Sequence, residues 1–317
     1  MMEDRILDSL GRIDGDMIAS AAKLRGKKKR RPNHWVWRAA ACLVLMCSLA
    51  VTVEASSGAV SNLLAPVFGG ARTEIVEGIG VPVGVSASAD GYTMTVDAII
   101  GDRYNVAVVY TLTREDGQPI PEGVRIDGWK SDVLKGGGGG FLSPVKEREE
   151  PCQLQFVEEW NSRGKIIGRY VTTRFSDLVL AQPDGEEILL AEGPWELSYT
   201  LCYEDSTRKV PVKDLEVTDL AGVRYGIEKI QISPIGLHMD MTRYNPVPEE
   251  WPLRSFAAAI QLTDGTVMEL EGSSGQHFRH GAEKAEAHYT AMLRVPVALE
   301  DVRGLVICGT VYPLNLE

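Results

Sequence analysis

The chain has 317 residues, and 44 acidic against 33 basic side chains give it a formal charge of −11. That balance argues against a nucleic-acid binder. Five cysteines with no Cys-x-x-Cys exclude a dense disulfide framework and leave a zinc or thioredoxin-like reading without support. The charge is not evenly spread. Through Arg38 there are ten basic and five acidic residues, and beyond it 23 basic and 39 acidic, a net of −16.

In chain order, residues 1–34 read as two short amphipathic helices and a basic cluster. Ile6, Leu7 and Leu10 fall at helical spacing before Gly11. Asp14 or Asp16 can cap a second series carrying Met17, Ile18, Ala21 and Leu24, which ends at Gly26. Helices this short bury no core of their own, so their apolar faces are expected to dock on the inner leaflet or on a cytoplasmic partner. The plainer alternative is a leader that only carries the charges directing insertion.

Residues 35–55 read as one transmembrane helix. The uncharged run 39–53 is short for a hydrocarbon slab of about 30 Å, but Trp35 and Trp37 can lie at the headgroups and Arg38 can extend its guanidinium to the interface. Lys27, Lys28, Lys29, Arg30 and Arg31 precede the run, and the next charge is Glu54, so the positive-inside bias puts the N-terminus in the cytoplasm. A cleaved signal is the rival reading, with Val53-Glu54-Ala55 as a small-residue site; the long segment before the apolar core argues against it. Met46 before Cys47 spoils a lipoprotein signal, and Pro-Asn-His after Arg30-Arg31 makes a poor twin-arginine motif.

Residues 56–80 read as a juxtamembrane linker, with "SNLLAPVF" a short amphipathic piece in it. The rest lacks long 3.6-period segments and is rich in short Val, Ile, Thr and Tyr runs, the pattern of an all-β sandwich. In "PWELSYTLCYED", Trp195, Leu197, Tyr199, Leu201 and Tyr203 point inward and Cys202 lies on the wetter face. "YNVAVVYTLT" is apolar on both faces, as a central strand requires. "VRYGIEKIQI" changes phase between Ile227 and Ile230, which predicts a bulge. The stretches beginning at Gly91 and Gly222 each give a strand, a turn and a second strand, and look like one unit used twice. The expected domains are therefore 81–217 and 218–317, two β-sandwiches joined near Asp214. "KGGGGGF" lacks the Lys-Ser/Thr ending of a phosphate loop and reads as a loop between strands.

Chemistry-bearing groups are sparse. His277, His280 and His288, with Glu283 and Glu286, have spacing that fits neither a helical nor a strand metal pair and read as a solvated loop. His238 and Asp240 read as the polar, outward face of "LHMDM". No Gly-x-Ser-x-Gly elbow is present. Trp129, Trp160, Trp195 and Trp251 at strand spacing read as core or domain-contact residues before they read as a sugar-binding surface. The expectation is a non-enzyme with no cofactor and no metal. Among Cys152, Cys202 and Cys308 the sequence selects no pair.

The segment "LDSLGRIDGDMIASA", the basic cluster, the Trp-flanked span and the opening "GYTMTVDAIIGDRYNVAVVYTL" together resemble the membrane proteins of clostridia-like Gram-positive bacteria grouped as domain of unknown function 4179. From about Ala221 the chain is similar to the immunoglobulin-like domain that often follows it. The resemblance implies a mainly β fold, with two immunoglobulin-like β-sandwiches outside the membrane. It implies an anti-sigma-like role beside an extracytoplasmic-function sigma factor, with the lipid bilayer and an unknown extracellular ligand as further partners. It transfers no catalytic residue. A structural or adhesive surface module without signalling is the second reading.

Overall fold

The computed structural model describes residues 58–133, 138–145, 150–182, 185–244, 256–270, 272–278 and 284–314. The basic cluster Lys27, Lys28, Lys29, Arg30 and Arg31, the interfacial Trp35, Trp37 and Arg38, and the expected span 35–55 lie outside them. Among the described residues no helix is long and apolar enough to cross a membrane.

The body is mainly antiparallel β. Three short helices come first: α1 (Ala59–Leu63), α2 (Ala65–Phe68) and α3 (Thr73–Ile79). The strands of the first unit follow: β1 (Val81–Ala89), β2 (Tyr92–Gly101), β3 (Asn105–Arg114), β4 (Val124–Ile126), β5 (Trp129–Ser131), β6 (Gly138–Pro144), β7 (Gln153–Ser162), β8 (Tyr170–Phe175), β9 (Leu178–Ala181), β10 (Glu187–Ala191) and β11 (Trp195–Thr200). One sheet has the order β1-β2-β3-β7-β6, and facing it are two three-stranded sheets, β10-β9-β4 and β11-β8-β5. Their shared core holds Met94, Tyr110, Phe175, Leu178, Trp195 and Leu197, all at 0 % exposure. Each such side chain contributes roughly 1.5–3 kcal/mol on leaving water. The alternation read in "PWELSYTLCYED" holds: Trp195, Leu197, Tyr199, Leu201 and Tyr203 are buried, and Glu196, Thr200, Cys202 and Glu204 are exposed. β3 pairs with β2 and β7 and is central, as its two apolar faces require.

The second unit has β12 (Arg208–Val210), β13 (Leu215–Thr218), β14 (Arg224–Ser233), β15 (Gly236–Tyr244), β16 (Ala258–Leu262), β17 (Val267–Leu270), β18 (Gly272–Phe278), β19 (Lys284–Met292), β20 (Val302–Ile307) and β21 (Thr310–Pro313). One sheet runs β12-β14-β15-β19-β18 with β13 also on β14, and the other runs β17-β16-β20-β21. A separate core between them includes Tyr225, Ile232, Met239, Ile260 and Leu305. β12 and β13 both ladder onto β14, so this sheet begins at Arg208 and the expected boundary at 217/218 falls within it.

The repeat read in the sequence is present in the register. Asp102 and Ser233, at the same place in the two hairpins, are 131 residues apart, and Asn105 opposite Asn161 corresponds to Gly236 opposite Met292 at the same spacing. The bulge expected between Ile227 and Ile230 lies between Ile227 and Lys229, and β2 has its counterpart between Val96 and Ala98. Each bulge carries an acid bonded to a threonine on the next strand. Asp97 Oδ2 accepts from Thr111 Oγ1 at 2.5 Å, and Glu228 accepts from Thr242.

Several segments differ from their sequence expectation. The described part of the expected linker, from residue 58, carries helices where the amphipathic piece was read and is folded onto the body: Leu64, Phe68 and Val76 share an apolar cluster with Ile100, Val109 and Val157 of the first sheet and with Ile235 and Met292 of the second unit. Helices of four to seven residues are not stable alone, so this packing holds them; Glu77 accepts from the Ser61 amide at 2.7 Å and ties α3 to α1. Gly138, Gly139 and Gly140 of the glycine run form the start of β6. A Cβ on Gly140 would lie 2.1 Å from the Trp160 ring, so the missing side chain makes room for the indole. The expected histidine loop is largely the β18–β19 pair, because edge pairing satisfies the backbone of this Gly- and Ser-rich stretch.

Candidate functional site

The densest polar constellation is the seam between the two units. The β2–β3 turn buries Asp102, whose Oδ1 accepts the amides of Tyr104 and Asn105, each at 2.7 Å. Asn105 Nδ2 donates to Oδ2 at 2.9 Å, and Ser233 Oγ, from the β14–β15 turn, donates to Oδ2 at 2.6 Å. Burial raises the Asp102 pKa, and these donors offset part of that rise. A Cβ on Gly236 would lie 2.4 Å from Asn105 Nδ2 and 2.5 Å from Asp102 Oδ2, so the turns meet only with glycine there.

Beside this contact the Tyr104 ring stacks on His238, with centroids 3.7 Å apart and planes 8° from parallel. His238 is 1 % exposed. Its Nδ1 is bonded to Thr290 Oγ1 at 2.8 Å and its Nε2 to Asp240 Oδ1 at 2.9 Å. Lys229 Nζ donates to Tyr104 Oη at 2.7 Å and to Asp240 Oδ2 at 3.1 Å, while Tyr104 Oη donates to Gln231. Burial opposes ionisation of Asp240, but His238 and Lys229 outweigh it and bring its pKa to about 2. The alternation that puts Leu237, Met239 and Met241 in the second core is as read; on the opposite face, expected to meet water, Asp240 keeps 40 % of its side chain exposed, while His238 is covered by Tyr104 of the first unit. Tyr104 lies over the imidazole, and both ring nitrogens are already bonded. The bonds of the seam position the two units against each other.

A second buried network lies inside the first unit. Glu158 is 0 % exposed. Its Oε2 accepts from Tyr110 Oη at 2.5 Å and its Oε1 from Trp129 Nε1 at 2.8 Å. Tyr199 Oη lies 2.6 Å from Tyr110 Oη. Burial and the Glu158 charge push the Tyr110 pKa well up, so the phenol stays protonated and serves as donor.

An open concavity of that unit has another origin. The sheets β10-β9-β4 and β11-β8-β5 have the same lateral order, and each strand of one continues into a strand of the other: β4 into β5, β8 into β9, β10 into β11. Together they form one three-stranded sheet creased across all its strands, at 127–128, 176–177 and 192–194. Ser176 donates its amide (2.8 Å) and hydroxyl (2.7 Å) to the Gly128 carbonyl. Asp177 Oδ1 accepts the Gly193 amide at 2.9 Å, replacing a ladder acceptor. Gly193–Pro194 is cis. Along the crease runs a groove of about 400 Å³, lined by Gly128, Trp129, Lys130, Arg174, Ser176, Asp177, Gly193 and Pro194.

The sequence candidates scatter. His280, Glu283 and Trp251 lie outside the described residues; in the backbone register His277 is opposite Glu286 and His288 opposite Gly275. Among the described residues no group of three or more His, Cys, Asp or Glu is arranged to hold a metal ion. Cys152, Cys202 and Cys308 are free thiols. Trp195 is core, and Trp129 and Trp160 face each other at 5.9 Å. Sequence reasoning passed over Asp102, Asn105, Ser233 and Gly236; the signal available was that "GDRYN" and "SPIG" occupy the same turn of the two repeats.

No protein-family model matches the chain, and no curated protein does. Among solved structures the chain is similar to a conserved domain protein from Bacillus anthracis, at 14 % identity and a TM-score of 0.48, over 72 % of this chain and 76 % of that one.

Proposed function

We propose that this is a single-pass envelope protein whose β-rich body, two immunoglobulin-like sandwiches, binds or senses a ligand outside the cell. Residues 35–55 serve as the anchor, Lys27, Lys28, Lys29, Arg30 and Arg31 hold the N-terminus in the cytoplasm, and Trp35, Trp37 and Arg38 sit at the interface. Residues 1–34 contact a cytoplasmic regulator such as a sigma factor, in an anti-sigma-like role of the kind associated with domain of unknown function 4179. The observation that carries the reading is the charge and apolarity order of the chain: a net of +5 through Arg38, an uncharged run, then a body of net −16.

Support for a sensing role comes from the body. α1–α3 follow the apolar run directly and join both units in one apolar cluster, so a ligand that reorients the body also reorients the segment next to the anchor. Such coupling needs a ligand with different affinity for two arrangements. Protease added to intact cells should remove the body and leave a membrane-bound N-terminal fragment of about 6 kDa. A body that resists external protease, or a mature chain starting near Ser56, rules the topology out. Pull-down with residues 1–38 separates signalling from the adhesive alternative, which predicts no specific cytoplasmic partner.

A further inference from the structure

The crease groove combines a built shape with a charge arrangement that the described residues leave incomplete. Lys130 on β5 is directly opposite Arg174 on β8, both on the outward face. Like charges at directly opposed positions repel. The nearest acid in this row, Glu196 opposite Arg174 on β11, reaches Arg174 Nε only at 3.9 Å, with both side chains more than half exposed. Among the described residues Lys130 has no ion-pair partner within 4.0 Å. Asp177 at the crease spends Oδ1 on the Gly193 amide. The lining of this groove of about 400 Å³ carries two adjacent cations, Lys130 and Arg174, and one acid, Asp177, an excess of positive charge on a body of net −16. Charge complementarity selects an anion.

Two glycines let the strands approach at the crease. A Cβ on Gly193 would lie 2.5 Å from the Ser176 carbonyl oxygen, and one on Gly128 would lie 2.8 Å from Ser176 Oγ. The groove is thus a consequence of the crease, held in place by bonds among three connections of the sheet.

We infer that this groove binds an oxyanion, the phosphate or carboxylate group of an external ligand, with Arg174 gripping two oxygens through its planar fork and Lys130 adding a mobile ammonium. The inference rests on the binding role proposed above and names the ligand class.

The test is calorimetric titration of the full-length protein in detergent with inorganic phosphate and, in parallel, sodium acetate at matched ionic strength. Saturable binding of either probe is expected; phosphate alone marks a phosphate ligand, acetate alone a carboxylate ligand. Lys130→Gln with Arg174→Gln should weaken binding about tenfold or more. Asp177→Asn keeps the acceptor for the Gly193 amide while removing a negative charge, and should tighten binding severalfold. No saturable binding of either probe, or binding unchanged in the double variant with its fold intact by circular dichroism, overturns the inference. The protease test of topology is unaffected by either result, so the two ideas fail separately.

Discussion

Asp102 and Ser233 occupy equivalent turns of the two repeats and are hydrogen-bonded to each other at 2.6 Å. The two units therefore meet through the same structural feature of each. Asp102→Ala would leave the amides of Tyr104 and Asn105 and the Ser233 hydroxyl without their acceptor, at a cost of about 3–5 kcal/mol. Ser233→Ala removes one donor and should cost about 1–2 kcal/mol. Urea denaturation of the two single variants and the double variant should give a coupling of about 1 kcal/mol or more; additivity would mean that the bond does not join the units.

Asp97, in the β2 bulge, has a pKa raised to about 6, because burial outweighs the Thr111 hydrogen bond. The folded chain then holds this proton more tightly than the unfolded chain between about pH 4 and 6, and stability contributed by the protonated form falls as pH rises through that window. Asp97→Asn should abolish this slope. At pH 7 the variant should be more stable than the parent by up to about 3 kcal/mol. Equal pH dependence of the two proteins between pH 4 and 7 would refute the assignment.

Gly139 and Gly140 are neighbours in β6 with opposite demands. A Cβ on Gly140 would meet the Trp160 ring, while one on Gly139 meets nothing within 4 Å. Gly140→Ala should displace the indole, lowering stability by about 1–3 kcal/mol with a change in tryptophan emission. Gly139→Ala should be neutral or slightly stabilising. Thermal melts of both variants read the contrast.

Glu158→Leu would remove the acceptor of the half-buried Trp129 indole and one partner of Tyr110, whose hydroxyl keeps Thr173 and Tyr199 within reach, and about 1–3 kcal/mol should be lost. Replacing Glu158 and Tyr110 together, as Leu and Phe, should recover part of that loss, because fewer polar groups are stranded. A double variant no more stable than Glu158→Leu alone would show that the network is not cooperative.

Much of the β architecture was legible because strand period and burial coincide. Trp195 to Tyr203 alternate cleanly, and the phase change after Ile227 marks its bulge without any long-range information. The seam was less legible for the same reason. On β15 a polar face signals water, and Asp240 beside Lys229 of the same sheet does stay part-exposed, but His238 is buried under Tyr104, and only the partner surface reveals this. Of the linker, the amphipathic piece 61–68 was legible and carries most of α1 and α2, but α3 and the docking of all three helices were not, because their signals are weak, with no side-chain cap at any of the three N-termini, and tertiary packing decides them. The crease is invisible in a strand-by-strand reading, since it exists only where three interruptions line up across a sheet.

The clamping of α1–α3 across both units has a mechanical consequence. Tension applied upstream of Gly58 enters through Leu64 and Phe68 and is shared by the faces of β2, β3 and β7 and by Ile235 and Met292. No single strand can be peeled away first by a load arriving along that route; the contacts must shear together, so a pull should be carried into the body as a whole before any part of it yields.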